Sequence, residues 1–151
     1  MIQRIQTIYL LLSGLLMASL FFLPFAHIET EAKEIYNFIY RGLENSGGEM
    51  LVPTLALAIL LTVATIISFL TILMYKNRVL QIRLCGINMA LLLGSTGMIY
   101  YLGTQLIDEV SGVMSYKLTT AFPLVALILT FMALRAIAKD IALLKSMDRI
   151  R

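Results

Sequence analysis

Cysteine and histidine occur once each and proline three times in 151 residues, and only 14% of the side chains are charged. One cysteine excludes an intrachain disulfide and any cysteine-cluster metal site. One histidine excludes a multi-histidine metal site. Soluble domains are about 25% charged and about 45–50% apolar. This chain is 60% hydrophobic with a mean hydropathy of +0.89. That imbalance rules out disorder, a disulfide scaffold, a coiled-coil rod and a soluble enzyme. No Gly-rich phosphate loop, Walker motif or dinucleotide fingerprint is present, so no cofactor is expected.

What fills the chain is apolar runs. A helix needs roughly 20 apolar residues to cross about 30 Å of hydrocarbon. Four stretches meet or approach that length: 5–25, 51–75, 84–103 and 118–138. The first three hold no formal charge, and Arg135 lies near the end of the fourth. Lipid offers the backbone no hydrogen-bond partners, so such segments must be helical. The expected fold is an all-α membrane protein: one domain, a four-transmembrane-helix bundle, followed by a cytoplasmic helical tail over 139–151.

Charge placement predicts the threading. Arg4, Lys76, Arg78, Arg83, Arg135, Lys139, Lys145, Arg149 and Arg151 fall on one side of the four runs. Lys33, Arg41 and Lys117 fall on the other, with seven of the nine carboxylates. Lys and Arg near span ends mark the cytoplasmic side, so both termini are expected there. The small total of +3 thus conceals a polarised molecule. Its cations are too sparse and too interrupted by Asp140 and Asp148 for nucleic acid.

Aromatics support the same frame. Phe21, Phe22, Phe25, Tyr100, Tyr101, Tyr116 and Phe122 gather at the outer interface, where aromatic rings settle. Pro24 ends the first run, while Pro53 and Pro123 are expected in the first turns of the second and fourth, where a missing N–H costs little. A cleaved signal peptide is the lesser reading of the first run, because Pro24-Phe25-Ala26 offers no suitable cleavage site.

The outer loop 27–50 is acidic. Within it Ile35, Asn37 and Ile39 alternate with Tyr36, Phe38 and Tyr40. That pattern fits a half-buried strand, and nearly as well a short interfacial helix. Asn45-Ser46-Gly47-Gly48 signals a loop, and Val110-Ser111-Gly112 a turn in the second outer loop. A short β hairpin across the two outer loops is therefore open to the chain, though it needs helices to pack on.

Reactive groups are scarce. His27, Glu29 and Glu31 would share a strand face and could hold a divalent cation, but a solvated acidic loop explains them more simply. Cys85 reads as a small core residue before an acylation site. In the third run Gly86, Ala90, Gly94 and Gly97 line one helix face, which lets another helix approach closely; Asn88, Ser95 and Thr96 could bond across helices. Packing within the bundle or between protomers is the expected use, ahead of a polar binding cleft. In the tail, Leu134, Ile137, Ile141 and Leu144 form a one-faced stripe. Arg135, Lys139, Lys145 and Arg149 on other faces suit anionic headgroups or a partner.

The opening MIQRIQTIYLLL, with ALRAIAKD and DRIR near the close, resembles a family of small four-span membrane proteins of unknown function from Bacteroidota. The resemblance covers the whole chain, and the opening is its most specific part. It implies an inner-membrane location and four helices, and brings no catalytic residues. The expected function is a non-enzymatic accessory or scaffold subunit, with membrane lipids, other membrane subunits or a second copy as partners. The alternative is a small transporter or lipid-binding protein using Asn88, Ser95 and Thr96.

Overall fold

The computed structural model describes residues 2–30, 34–45 and 47–148. The chain runs through α1 (Ile2–Ser19), β1 (Ala26–Thr30), β2 (Ile35–Ile39), β3 (Gly42–Asn45), β4 (Met50–Pro53), α2 (Leu55–Leu73), α3 (Arg78–Val110) and β5 (Gly112–Tyr116). A 3-10 turn over Leu118–Ala121 then leads into α4 (Phe122–Asp148).

The all-α expectation is corrected by the strands. They form one antiparallel sheet in the order β4-β3-β2-β1-β5, so four helices are joined to a substantial β layer in place of a pure four-helix bundle. The outer loops hold far more than a hairpin. The first folds into a four-stranded meander, and the second adds β5 to the free edge of β1. Three or more strands with one buried face are stable where a lone hairpin is not.

Local chemistry sets the boundaries. Ahead of Pro24, which disfavours helix in the residue before it, α1 tightens. Leu20, Phe21 and Phe22 donate to carbonyls three residues back, a 3-10 ending. The final turn of α3 stops at Ser111 in the left-handed region (φ 51°). Pro53 closes β4 and lies outside α2, contrary to expectation. An edge strand tolerates it, since proline has no N–H to donate to a ladder.

Three helices, α2, α3 and α4, are long and apolar enough to cross a membrane; the apolar part of α1, Ile5–Ser19, is shorter. At 1.5 Å per residue α3 extends for about 50 Å, well past the 84–103 run. Each helix packs on two others, α1 and α3 both against α2 and α4. Connectivity therefore gathers the sheet at one end. The start of α1, the α2–α3 turn and the end of α4 lie at the other.

Sheet and helices share one core. Ala26 and Ile28 of β1, Tyr36 and Phe38 of β2 and Leu43 of β3 are buried with Met17, Leu20, Leu57, Leu61, Ile99 and Leu106. Edge-to-face contacts of Phe25 with Phe38 (5.3 Å) and Phe21 with Tyr40 (5.0 Å) bind the end of α1 to the sheet. Of the aromatics assigned to an interfacial belt, Phe25 is a core residue and Phe21 and Phe122 pack against the core, whereas Phe22, Tyr100, Tyr101 and Tyr116 are exposed. The hydroxyls of Thr119 and Thr120 donate to the carbonyls of Pro24 and Phe25, which fastens the entry of α4 to the entry of β1.

Gly42 holds β3 against β4. Its φ is +147°, and a Cβ there would sit 2.0 Å from the Val52 carbonyl oxygen. Gly42→Ala should therefore cost at least about 1–3 kcal/mol, read as a lowered unfolding midpoint, whereas Gly47→Ala, with open space around it, should leave the midpoint unchanged.

Candidate functional site

Midway along the helices lies a polar layer with one contribution from each. Ser13 of α1 bonds with Thr130 of α4 (3.0 Å) and donates to the Ala126 carbonyl (3.1 Å). Asn88 Nδ2 of α3 donates to Ser68 Oγ of α2 (2.9 Å), which donates to the Ala64 carbonyl. All four side chains are fully buried. The layer separates the sheet-side core from a second cluster of Leu10, Cys85, Ala133 and Ile137. Such bonds match side chains that would otherwise face apolar neighbours alone.

The small residues of α3 point elsewhere. Gly86, Ala90, Gly94 and Gly97 lie on its exposed face. Around an added Cβ at Gly86 or Gly97 there is no atom within 4 Å, and at Gly94 only Leu60 reaches 4.0 Å. Asn88 faces inward, so the five residues do not form one surface. Ser95 and Thr96 donate to carbonyls of their own helix, those of Leu91 and Leu92. Cys85 is a buried free thiol. On α4, Arg135 lies over the Phe131 ring at 5.6 Å and Lys139 is exposed. The Lys145 side chain and Arg149 lie outside the described residues.

On the sheet, the register aligns Ser115, His27, Asn37 and Glu44 in one row across β5, β1, β2 and β3. His27 and Glu29 sit on the outward face, while Glu31 lies outside the described residues. Among the described residues no group of three His, Cys, Asp or Glu could hold a metal ion. The Tyr36 hydroxyl donates to Glu34; that bond, then burial and the carboxylate charge, raises the phenol above its usual range. Tyr116, stacked on Tyr100 at 6.2 Å, is raised by burial and by that neighbour.

A cleft opens at the end away from the sheet. Gln6, Thr7, Ile8 and Leu11 of α1 face Tyr75, Arg78 and Gln81 of the α2–α3 corner around about 550 Å³. Gln6 and Gln81 are each 5% exposed. Gln81 Nε2 donates to the Thr71 carbonyl at 3.2 Å, but Gln6 Nε2 is buried without a partner. Arg78 forms an ion pair with Asp140 of α4. Beyond Arg78 is a second hollow of about 550 Å³, lined by Lys76, Asn77, Val79, Leu80, Arg83 and Ile141. Sequence reasoning missed this cleft. Its one signal was an amide, Gln6, at the start of the first apolar run.

The fold and its clefts define a protein of helices capped by a small sheet, three of the helices being long and apolar enough to cross a membrane. A family model described as Domain of unknown function (DUF4293) matches residues 2–150, and the chain belongs to that family. Neither curated proteins nor solved structures give a match.

The polar layer makes a quantitative demand. In a double-mutant cycle of Ser68→Ala and Asn88→Ala, unfolding in mixed micelles should give a coupling of about 0.6 kcal/mol, the average for interhelical bonds in an apolar medium. Zero coupling would mean that the two side chains do not support one another.

Proposed function

We propose that the chain is an integral protein of the inner (cytoplasmic) membrane, with both termini in the cytoplasm, serving as a non-enzymatic accessory or scaffold subunit of a membrane assembly. One observation carries this reading: polarity is distributed inside out. Ser13, Ser68, Asn88, Ser95 and Thr130 are fully buried, whereas Ile8, Leu15, Ile59, Ile66, Leu93 and Ile128 are exposed. Soluble monomers rarely expose apolar patches larger than a few hundred Å². Hydrocarbon favours this arrangement, and water opposes it.

At 1.5 Å per residue α1 covers about 27 Å, close to the thickness of the hydrocarbon, and acts as a fourth span. Orientation follows from Lys76, Arg78, Arg83, Arg135 and Lys139, which mark the end opposite the sheet as cytoplasmic. The sheet then stands outside the membrane.

The scaffold role rests on the open face of α3. Small residues there allow a helix of a companion subunit or second copy to approach closely. The cations of α4 engage anionic headgroups or a cytoplasmic partner. Lipids and membrane subunits are the partners, nucleic acid is not, and no cofactor takes part.

Alkaline carbonate should leave the chain in the membrane. Tags at both termini should stay protected from the outside while one in the 45–48 loop is reached; an outside terminus overturns the orientation. Gly86→Leu should change stability by no more than about 0.5 kcal/mol yet release a companion or second copy in mild detergent. Assembly unaffected by that substitution would overturn the scaffold role.

A further inference from the structure

Resting on the reading of the chain as membrane-embedded, we propose that the cleft between α1 and the α2–α3 corner binds an anionic phospholipid of the cytoplasmic leaflet. Phosphate oxygens meet Arg78, Tyr75 and Gln6, and an acyl chain runs along Ile8 and Leu11.

The Gln6 amide is the starting point. An unpartnered donor on a residue only 5% exposed is destabilising, and Gln6 lines a cleft of about 550 Å³. It needs an oxygen acceptor from outside the chain. The remaining walls say what kind of molecule carries that oxygen. Ile8 and Leu11 are apolar and exposed, at 54% and 43%, so one side of the cleft continues onto the outer face of α1. Tyr75 and Arg78 form the opposite side. The occupant is amphipathic, polar at the α2–α3 corner and apolar along α1.

Charge selects the headgroup. Arg78 pairs with Asp140, but a guanidinium has five N–H donors and retains some for a phosphate. Lys76 and Arg83 border the adjoining hollow on the other side of Arg78. Among the described residues, the Arg78–Asp140 pair is the one ion pair, so the carboxylate offsets only part of this positive charge. The first turn of α3 contains no acidic residue, and its N-terminal dipole adds to the attraction for an anion. An ammonium-bearing headgroup would bring a further cation to this corner. A headgroup of net negative charge would not.

The test uses the full chain in nanodiscs of phosphatidylethanolamine with a minor share of phosphatidylglycerol. Lipid retained after gentle detergent extraction is then identified by native mass spectrometry. Phosphatidylglycerol should be enriched and should raise the unfolding midpoint in detergent, with neither glycerol phosphate nor inorganic phosphate doing so. Gln6→Leu and Arg78→Gln should each lower its retention about tenfold, the loss expected for one hydrogen bond to a charged group. Because Arg78→Gln also breaks an ion pair, Ile8→Trp supplies a second variant: it fills the groove from an exposed position and should lower retention equally without loss of folding. Equal retention of the two lipids, or full retention by Ile8→Trp, overturns the proposal. Stabilisation by glycerol phosphate or inorganic phosphate alone overturns the lipid as the source of the phosphate. Failure here with the chain still resistant to carbonate leaves membrane integration standing; release by carbonate would remove both.

Discussion

The pairing of β1 with β5 ties the two halves of the chain together, and the outer end of the molecule depends on it. β1 follows α1, and β5 lies between α3 and α4; their register, Ala26 opposite Tyr116 through Thr30 opposite Gly112, brings three helix ends to one place. β1 also pairs with β2, so the meander leading to α2 hangs from its other edge. Ala26 and Ile28 then face the helices and seal the shared core. Closure is costly in chain entropy because the partners are far apart in sequence. That cost grows only slowly with loop length, and burial of a common apolar face offsets it.

Toward the other end the structure changes character. Between the two apolar clusters, four small polar side chains pair across helices, and outside them the helices show leucine, isoleucine and phenylalanine. Past the second cluster, cations collect around Arg78 and α4. The molecule therefore has an acidic, sheet-forming end, an apolar middle and a basic, clefted end. The proposed roles divide along that axis, with the sheet displayed on one side, companions along α3, and lipid at the basic corner.

The candidate sites were unevenly legible. Periodicity exposed the Gly86, Ala90, Gly94 and Gly97 face, but a stripe of small residues reads the same whether it faces a neighbouring helix or open space. Asn88 lies two positions from both Gly86 and Ala90, a spacing that puts it on a different face, and the structure turns it inward. Gln6 and Arg78 are 72 positions apart. Nothing local to either announces that one is a buried donor and the other a wall of the same cleft.

Composition and run length by themselves marked four apolar runs, three of which are the long apolar helices α2, α3 and α4, together with the sorting of charge along the sequence and the helical continuation of α4, because each depends only on neighbours in the chain. The alternation from Ile35 to Tyr40 fitted the strand at β2 but fitted a short interfacial helix nearly as well. Tertiary structure alone decided that there is a five-stranded sheet. Its strands are four or five residues long, too short for a local pattern to distinguish from loop. A strand exists by virtue of its partners, and one partner of β1, the strand β5, lies beyond two intervening helices.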